Sequence, residues 1–334
     1  MPAEWEAHEA TWMTWPKDPV TWPERLPQAQ EAFAQMIEAL TPGEAVHLLV
    51  DDAEAEAQAR VKIFTKRVNA ANLFFHHVPT ADSWIRDYGP NFLLREGEER
   101  QAFNGWRFNA WGEKYESLLS DDGIPQRLAS RLNLPMFEPN IVLEGGSIDV
   151  NGQGLVLTTE QCLLNPNRNP KLGRKRIETY LKNYLNVQKI LWLGEGIAGD
   201  DTDGHIDDIA RFVAPDTVMA AVEEDPADPN YRPLQENLKK LRSFTDLKGR
   251  NLRVLTLPMP GRLETPEGPL PASYANFYIA NGVVLLPIFA HSNDAKAVAA
   301  LQQVFPHRKI IGVDCRDLVW GMGAIHCLTQ QQPK

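Results

Sequence analysis

The chain has 334 residues, of which 43% are hydrophobic and 23% are charged, as expected for a globular protein. Its 44 acidic residues outnumber its 34 basic residues, and the resulting net charge of −10 argues against nucleic acid or an anionic membrane as a partner. No apolar run approaches the roughly 18 residues that span a bilayer.

Three cysteines occur in the chain, Cys162, Cys315 and Cys327, and none forms a Cys-x-x-Cys pair. This pattern predicts neither a disulfide framework nor a structural zinc site. The acidic N-terminal residues have no basic and apolar signal region. We therefore expect a cytoplasmic protein with reduced thiols.

Four segments repeat apolar residues at steps of three and four, which predicts amphipathic helices over Leu26–Leu40, Arg174–Leu185, Leu234–Phe244 and Asp294–Val304. Short apolar runs rich in β-branched residues predict strands. These runs are Val46–Val50, Leu73–His77, Ile141–Leu143, Leu155–Thr158, Lys189–Leu193, Ile209–Val213, Val218–Val222, Leu252–Leu257, Asn276–Ile279, Val283–Pro287 and Lys309–Val313.

The order of these elements is rhythmic in the second half of the chain. Strand, strand, helix and strand follow one another from Ile209 to Leu257, and again from Asn276 to Val313. A unit of roughly 60–70 residues indicates a repeat architecture, and about five such units fill the chain. We therefore expect an α/β fold and a single domain over residues 1–334.

The first chemically distinctive stretch along the chain is Asp82–Pro90, in which Gly89 and Pro90 mark a turn. Trp84 and Asp87 could line one pocket, because an aromatic face and a carboxylate suit a planar cation. Alternatively, Asp87 pairs with Arg86 at the surface and Trp84 belongs to the core.

The second stretch, Leu143–Asp149, has Glu144 at a predicted strand end before two glycines. Glu144 could project into a cleft, or it could be an exposed residue of an ordinary turn.

The third stretch, Gly199–Asp208, contains five carboxylates and one histidine. His205 and Asp207 lie two residues apart and share one face of an extended segment, so the carboxylate could orient the imidazole for acid–base chemistry. A solvated acidic loop is the alternative. A calcium loop is disfavoured because the ligand spacing of such loops is absent.

The last stretch, Trp320–Thr329, places Cys327 just after two glycines. Glycines let the backbone approach a ligand closely, so Cys327 could be an exposed nucleophile, whereas most cysteines are small buried hydrophobic residues. Taken together, the four stretches supply a thiol, a histidine with a carboxylate partner and two further carboxylates. They contain neither a phosphate-binding loop nor a dinucleotide fingerprint.

Six blocks of sequence resemble, in order, the family of agmatine deiminases and bacterial peptidyl-arginine deiminases, which belongs to the guanidino-group-modifying (pentein) superfamily. The blocks are Met1–Glu9 with Thr11–Pro16, Trp84–Pro90, Glu144–Ser147, Leu164–Pro170, Gly204–Asp207 and Ile325–Pro333. The resemblance implies a five-bladed α/β-propeller of pseudo-repeated ββαβ units around a central active-site channel.

The resemblance also implies a role for each matching residue. Cys327 would be the nucleophile and His205 the general acid–base. Asp87 and Asp207 would grip the guanidinium, with Glu144 beside them, and Trp84 would line the channel. The implied partner is a small cationic guanidine, no metal or organic cofactor is needed, and two copies of the chain could form a homodimer.

The implied reaction is hydrolysis of a C–N bond of a linear amidine, from agmatine to N-carbamoylputrescine and ammonia, as a step towards putrescine. It would pass through a thiouronium on Cys327. Peptidyl-arginine or free arginine is an alternative substrate, and amidino transfer or a non-catalytic propeller is a more distant alternative.

The chain departs from the family pattern at three positions. Met322 and Ala324 stand where the family commonly has glycine and asparagine, and Asp208 stands where many members have asparagine. The first two changes alter the wall beside Cys327, and the third adds an acid near the site. All of them concern the choice of substrate, since no catalytic group is lost.

Overall fold

The computed structural model of the chain describes residues 1–95, 97 and 101–334, and within them the protein is a mixed α/β fold. Its α-helices and single helical turns are Leu26–Leu40 (α1), Ala53–Ile63 (α2), Ile85–Tyr88 (α3), Ala110–Glu113 (α4), Ile124–Leu132 (α5), Glu160–Leu163 (α6), Arg174–Leu185 (α7), Tyr231–Ser243 (α8) and Asp294–Val304 (α9).

The strands are short. They are His8–Thr14 (β1), Ala45–Val50 (β2), Leu73–His77 (β3), Asn91–Leu94 (β4), Gln101–Asn104 (β5), Met136–Phe137 (β6), Asp149–Val150 (β7), Leu155–Thr159 (β8), Lys189–Leu193 (β9), Ala210–Ala214 (β10), Thr217–Val222 (β11), Arg253–Pro258 (β12), Glu264–Thr265 (β13), Gly268–Pro269 (β14), Tyr278–Ile279 (β15), Val283–Ile288 (β16), Lys309–Asp314 (β17) and Gln330–Pro333 (β18).

Five sheets of the described residues share one pattern, in which a middle strand is antiparallel to the strand before it and parallel to the strand after it. Four of them are β4-β5-β6, β7-β8-β9, β10-β11-β12 and β15-β16-β17. In the fifth, β18-β1-β2-β3, the last strand of the chain takes the first position.

A helix lies in the chain between the two strands of each parallel pair, because parallel neighbours need a crossover connection. The crossover helices are α1 and α2 in the four-stranded sheet and α5, α7, α8 and α9 in the other four sheets. The remaining sheet is the small hairpin β13-β14. No helix among the described residues is long and apolar enough to cross a membrane.

Helices with a clear apolar period were predicted well. The bounds of α1, α7 and α9 are those that the sequence predicts. The pattern missed α2, which buries only Ala59 and Ile63 and begins at an N-cap where Asp52 accepts two backbone N–H groups. The predicted strand Ile141–Leu143 is wrong, because only Val142 forms an isolated bridge there.

Short buried turns carry the chemically distinctive residues. They are α3 and the 3₁₀ turns Gly145–Ser147, Ile206–Asp208 and His326–Leu328. Every residue of these four turns is buried. Turn α3 packs against both Gly145–Ser147 and His326–Leu328. Stretches that are far apart in the sequence are thereby brought to one place.

Candidate active site

Cys327 lies in the middle of the 3₁₀ turn His326–Leu328, and 5% of its surface is exposed. Asn276 fixes this turn, because its Oδ1 accepts the backbone N–H of His326 at 2.8 Å. The same side chain donates from Nδ2 to Cys327 Sγ at 3.1 Å. Gly323 allows the backbone before this turn to pack closely against Trp84, because a Cβ at position 323 would lie 2.6 Å from the Trp84 ring.

Asp87, on α3, is a buried carboxylate with a donor for each oxygen. Its Oδ1 accepts the N–H of Gly146 at 3.0 Å, and its Oδ2 accepts the indole N–H of Trp111 at 2.9 Å. Burial raises the pKa of Asp87 to about 6, aided by the charges of Asp207 and Glu144. Asp87 is therefore a site carboxylate that protonates close to neutral pH.

Asp207 is the second carboxylate beside the thiol. Its Oδ2 lies 3.7 Å from Cys327 Sγ and 2.6 Å from His326 Nδ1, while its buried Oδ1 has no hydrogen-bond partner in the part of the chain that the structure describes. Burial favours the protonated acid, but the hydrogen bond and charge of His326 outweigh it and lower the pKa of Asp207. Asp207 is thus an ionised carboxylate with one oxygen free to accept.

The His205 ring is fully buried, and neither of its nitrogens has a hydrogen-bond partner among the described residues. Its Nδ1 lies 3.7 Å from Asp87 Oδ1. Burial alone would lower its pKa, but the charges of Asp87 and other acids around it raise the pKa of His205 well above the usual value. The ring therefore carries a proton that it can deliver.

Gly146 allows these groups to approach one another. A Cβ at this position would lie 2.6 Å from His205 Nδ1, 2.8 Å from Asp87 Oδ1 and 3.1 Å from Asp207 Oδ2. No side chain fits there without displacing the site.

The thiol of Cys327 lies in a strongly acidic environment. Burial and the charges of Asp207, Asp208 and Asp87 raise its pKa well above the usual value for cysteine. The unliganded protein therefore holds a protonated thiol, and a cation bound beside the carboxylates would favour the thiolate.

Glu144 lies on the far side of His205 and is wholly buried. Its Oε1 accepts from Arg168 Nε at 2.6 Å, while its Oε2 has no hydrogen-bond partner within residues 1–95, 97 and 101–334. Arg168 also donates to the carbonyl of Thr202 at 2.7 Å, which ties Glu144 to the loop that carries His205.

That loop is not arranged to hold calcium. Asp200 accepts the backbone N–H groups of Thr202, Gly204 and His205, and Asp201 accepts the hydroxyl of Tyr115. These acids therefore serve as turn formers and hydrogen-bond acceptors, and they fix the position of His205.

A cavity of about 180 Å³ leads to Cys327. Trp84, Trp111 and Met322 form part of its apolar wall, and Trp84 packs edge-on against Trp111 with ring centroids 6.4 Å apart. Four of its lining residues are aspartates, namely Asp18, Asp82, Asp87 and Asp201. The described lining contains neither lysine nor arginine. The cavity suits an extended cation.

The six residues predicted from the sequence all lie in this region. Trp84, Asp87 and Cys327 line the cavity. His205 lies behind Asp87, and Asp207 lies behind Cys327. Glu144 is not among the lining residues of the cavity and lies near His205.

Four further residues were missed, namely Glu4, Arg168, Asn276 and His326. His326 joins Asp207 to Glu4, because its Nε2 lies 2.8 Å from Glu4 Oε2. Glu4 in turn pairs with Arg211 at 2.8 Å and accepts the N–H of Ile279 at 2.8 Å. Glu4, Arg168 and His326 lie within the blocks that resemble the family, so the resemblance could have identified them. Asn276 lies outside these blocks, and nothing in the sequence pointed to it.

Comparison with known proteins gives consistent matches along the whole chain. A Legionella pneumophila (strain Paris) protein named provisionally as an agmatine deiminase is 40% identical, over 100% of this chain and 95% of its own length. The solved structure of the Enterococcus faecalis agmatine deiminase superposes with a TM-score of 0.93 at 36% identity, over 100% of this chain and 95% of that one.

A cysteine-to-serine variant of the C. jejuni agmatine deiminase, solved with substrate bound, has a TM-score of 0.89 at 33% identity, over 100% of this chain and 96% of that one. The family model described as Porphyromonas-type peptidyl-arginine deiminase matches residues 1–333. The chain belongs to the Porphyromonas-type peptidyl-arginine deiminase family.

Proposed function

We propose that the protein hydrolyses agmatine to N-carbamoylputrescine and ammonia through a covalent intermediate on Cys327. The observation that carries the proposal is a cavity that ends at a buried thiol beside two carboxylates. Its relatives that are named agmatine deiminases support the same substrate.

Binding of the guanidinium explains how the thiol becomes reactive. A guanidinium is planar and presents several N–H donors, which suits the carboxylates of Asp87 and Asp207. Its positive charge would offset the three acids that raise the pKa of Cys327. The substrate therefore activates the nucleophile that attacks it.

The reaction then has two halves. The Cys327 thiolate attacks the guanidinium carbon, and protonated His205 gives its proton to the departing nitrogen, which leaves as ammonia. A water molecule next attacks the thiouronium carbon and gives a proton to His205. Collapse of that adduct breaks the C–S bond and expels the thiolate, and the hydroxyl group loses its proton to solvent to give the ureido product.

The acidic lining favours agmatine over arginine. Both substrates share the guanidinium and the alkyl chain, but arginine adds a carboxylate at the far end. Among the described lining residues no lysine or arginine would pair with that carboxylate, whereas Asp18 and Asp201 suit the terminal ammonium of agmatine.

We also infer that the five sheets of one pattern are the blades of a single-domain propeller, with β18 completing the blade that β1 begins. The repeated strand pairings and crossover helices support this arrangement.

A substrate panel tests the function. The pure protein is incubated with agmatine, arginine and an arginine peptide, and ammonia and ureido product are measured. We expect turnover of agmatine in wild type, none in Cys327→Ala, and turnover retained in Cys315→Ala, which removes a buried thiol outside the cavity. Turnover of arginine or the peptide without turnover of agmatine would contradict the proposal, as would an amidinated amine formed in place of the ureido product.

A further inference from the structure

Cys162 lies in a buried cluster with Glu144 and His205. One ligand-type atom from each of the three residues lies within 4.8 Å of the other two. All three residues have no exposed surface. They come from separate parts of the chain, since Cys162 belongs to α6 while the other two precede different 3₁₀ turns.

The cluster has unused ligand atoms. Glu144 Oε2 and both ring nitrogens of His205 are buried without a hydrogen-bond partner among the described residues. Buried polar atoms are nearly always paired, so the unpaired Glu144 oxygen and the ring nitrogen that His205 contributes to the cluster indicate affinity for a further group.

The surrounding contacts hold these residues in place. Arg168 Nε fixes the other oxygen of Glu144 at 2.6 Å. Thr159 caps the turn of Cys162, with its Oγ1 accepting the Cys162 N–H at 3.2 Å. Asp200 accepts the backbone N–H of His205 at 3.1 Å. The cluster is therefore supported on each side by the fold.

The donor set selects the class of ligand. A thiolate, an imidazole and a carboxylate are ligands of Zn²⁺, which takes such mixed sets tetrahedrally and can leave a fourth position open. Mg²⁺ and Ca²⁺ prefer oxygen ligands throughout. Ligand atoms around zinc lie roughly 3.5 Å apart, so the cluster would contract by about 1 Å on binding.

We propose that Glu144, Cys162 and His205 bind a thiophilic divalent cation of the zinc class, and that this binding inhibits the enzyme. The inhibition rests on the proposed function, because a metal on His205 takes the lone pair that would accept a proton from water. Binding releases the thiol proton of Cys162 and the imidazolium proton of His205, and it involves no redox step. The metal is an inhibitor here and not a cofactor.

Cobalt(II) is the probe for binding, because a thiolate ligand gives Co²⁺ an intense charge-transfer absorption in the near ultraviolet. We expect this band in wild type, in Cys327→Ser and in Cys315→Ser, and we expect it to be absent in Cys162→Ser. Cys315→Ser is the matched control, since Cys315 is equally buried but lies outside the cluster.

Two spectroscopic results would overturn the proposal. One is the absence of the band in wild type, and the other is its loss in Cys327→Ser with retention in Cys162→Ser, which would assign the metal to the nucleophile. Circular dichroism establishes whether Cys162→Ser folds. If it does not, Glu144→Gln replaces it, and we expect the Co²⁺ concentration at half-maximal absorption to rise at least tenfold.

Inhibition is tested separately. We expect Zn²⁺ to abolish agmatine turnover by wild type and a chelator to restore it, with the midpoint at least tenfold higher in Cys162→Ser than in Cys315→Ser. Equal midpoints in the two variants would contradict inhibition through this cluster. If the wild type turns over no guanidine at all, the proposed function fails, while the cobalt spectra still decide whether the cluster binds metal.

Discussion

Asp207 and Asp208 are adjacent and buried, yet their pKa values shift in opposite directions. His326 lowers the pKa of Asp207 against the effect of burial. For Asp208, burial together with the charges of Asp207 and Asp200 outweighs the opposing charge of His205 and raises its pKa well above the usual value. One acid of the pair therefore stays ionised while its neighbour resists ionisation.

We predict that Asp208→Asn stabilises the protein at neutral pH. Asn276 Nδ2 donates to Asp208 Oδ1 at 2.9 Å, and an amide oxygen would accept this bond equally well. Because the folded pKa of Asp208 lies above the unfolded value, folded wild type binds more protons, so its stability falls as pH rises above the unfolded pKa. The variant lacks this loss.

Urea unfolding of wild type and Asp208→Asn between pH 5 and pH 8 measures the effect. The advantage of the variant should grow with pH. The exposed substitution Asp216→Asn controls for the exchange of an acid for an amide. A constant or shrinking difference would mean that Asp208 ionises freely in the fold.

Asp201 provides a second prediction at this scale. It lines the cavity, and its Oδ2 accepts the hydroxyl of Tyr115 at 2.5 Å. If Asp201 binds the terminal ammonium, Asp201→Asn should raise KM for agmatine about tenfold with little change in kcat, because a bond to a charged group contributes about 1.5–3 kcal/mol. Steady-state kinetics give both constants.

The monocationic analogue n-butylguanidine is the matched control substrate, because it keeps the guanidinium and lacks the terminal ammonium. Its kinetics should be the same in wild type and Asp201→Asn. An equal loss for both substrates would assign Asp201 to the loop structure and not to recognition.

At the scale of elements, the turn before the nucleophile combines two glycines with a strained methionine. A Cβ at Gly321 would lie 2.8 Å from the Trp22 ring, and one at Gly323 would lie 2.6 Å from the Trp84 ring. Between them, Met322 has φ +70° and ψ 21°, the left-handed region that costs most residues about 1 kcal/mol. Its side chain lines the cavity.

We predict that Met322→Gly changes substrate affinity more than stability. Glycine removes the left-handed strain but makes the unfolded chain more flexible, so the free energy of unfolding should stay within about 1 kcal/mol of wild type. Loss of the apolar wall should raise KM for agmatine about threefold to tenfold. Met322→Leu, which keeps an apolar side chain, should stay near wild type, and an unchanged KM in the glycine variant would show that Met322 does not contact substrate.

A helix or strand was predictable where the spacing of its own apolar residues identified it. The helix α7 buries Ile177, Leu181 and Leu185 on one face, and its bounds follow from that spacing. The helix α2 has no such face, and the two-residue strand β15 is too short for a period of two to show. Both depend on neighbouring elements for their stability.

At the scale of the whole molecule, the site is assembled from distant segments. His326 connects Asp207, from the middle of the chain, with Glu4, from its first residues. Local sequence patterns identified Cys327 and His205 as candidates, each with a purely structural alternative. The family resemblance predicted that the two residues act together in one site. The support from Asn276 could not be predicted, because it depends on packing between the turns that precede β15 and β18.

We predict that Glu4→Gln destabilises the protein by about 1–3 kcal/mol. The carboxylate pairs with Arg211 at 2.8 Å and lies 2.8 Å from His326 Nε2, and an amide would lose the ion pair and turn its NH2 group towards one of these buried groups. Arg211 and His326 keep Asp149 and Asp207 as partners, which limits the loss. Chemical denaturation measures the loss. Glu6→Gln, at an exposed position nearby, should have no effect, and equal stability of the two variants would show that the network is dispensable.

The tryptophans around the cavity have an optical consequence. Of the nine tryptophans in the chain, Trp84, Trp111 and Trp320 line the cavity, and the indole N–H of Trp111 donates to Asp87. A cation drawn to Asp87 would change the field at that indole and exclude water from its neighbours. Intrinsic fluorescence should therefore report occupancy of the cavity directly, in real time and without any label.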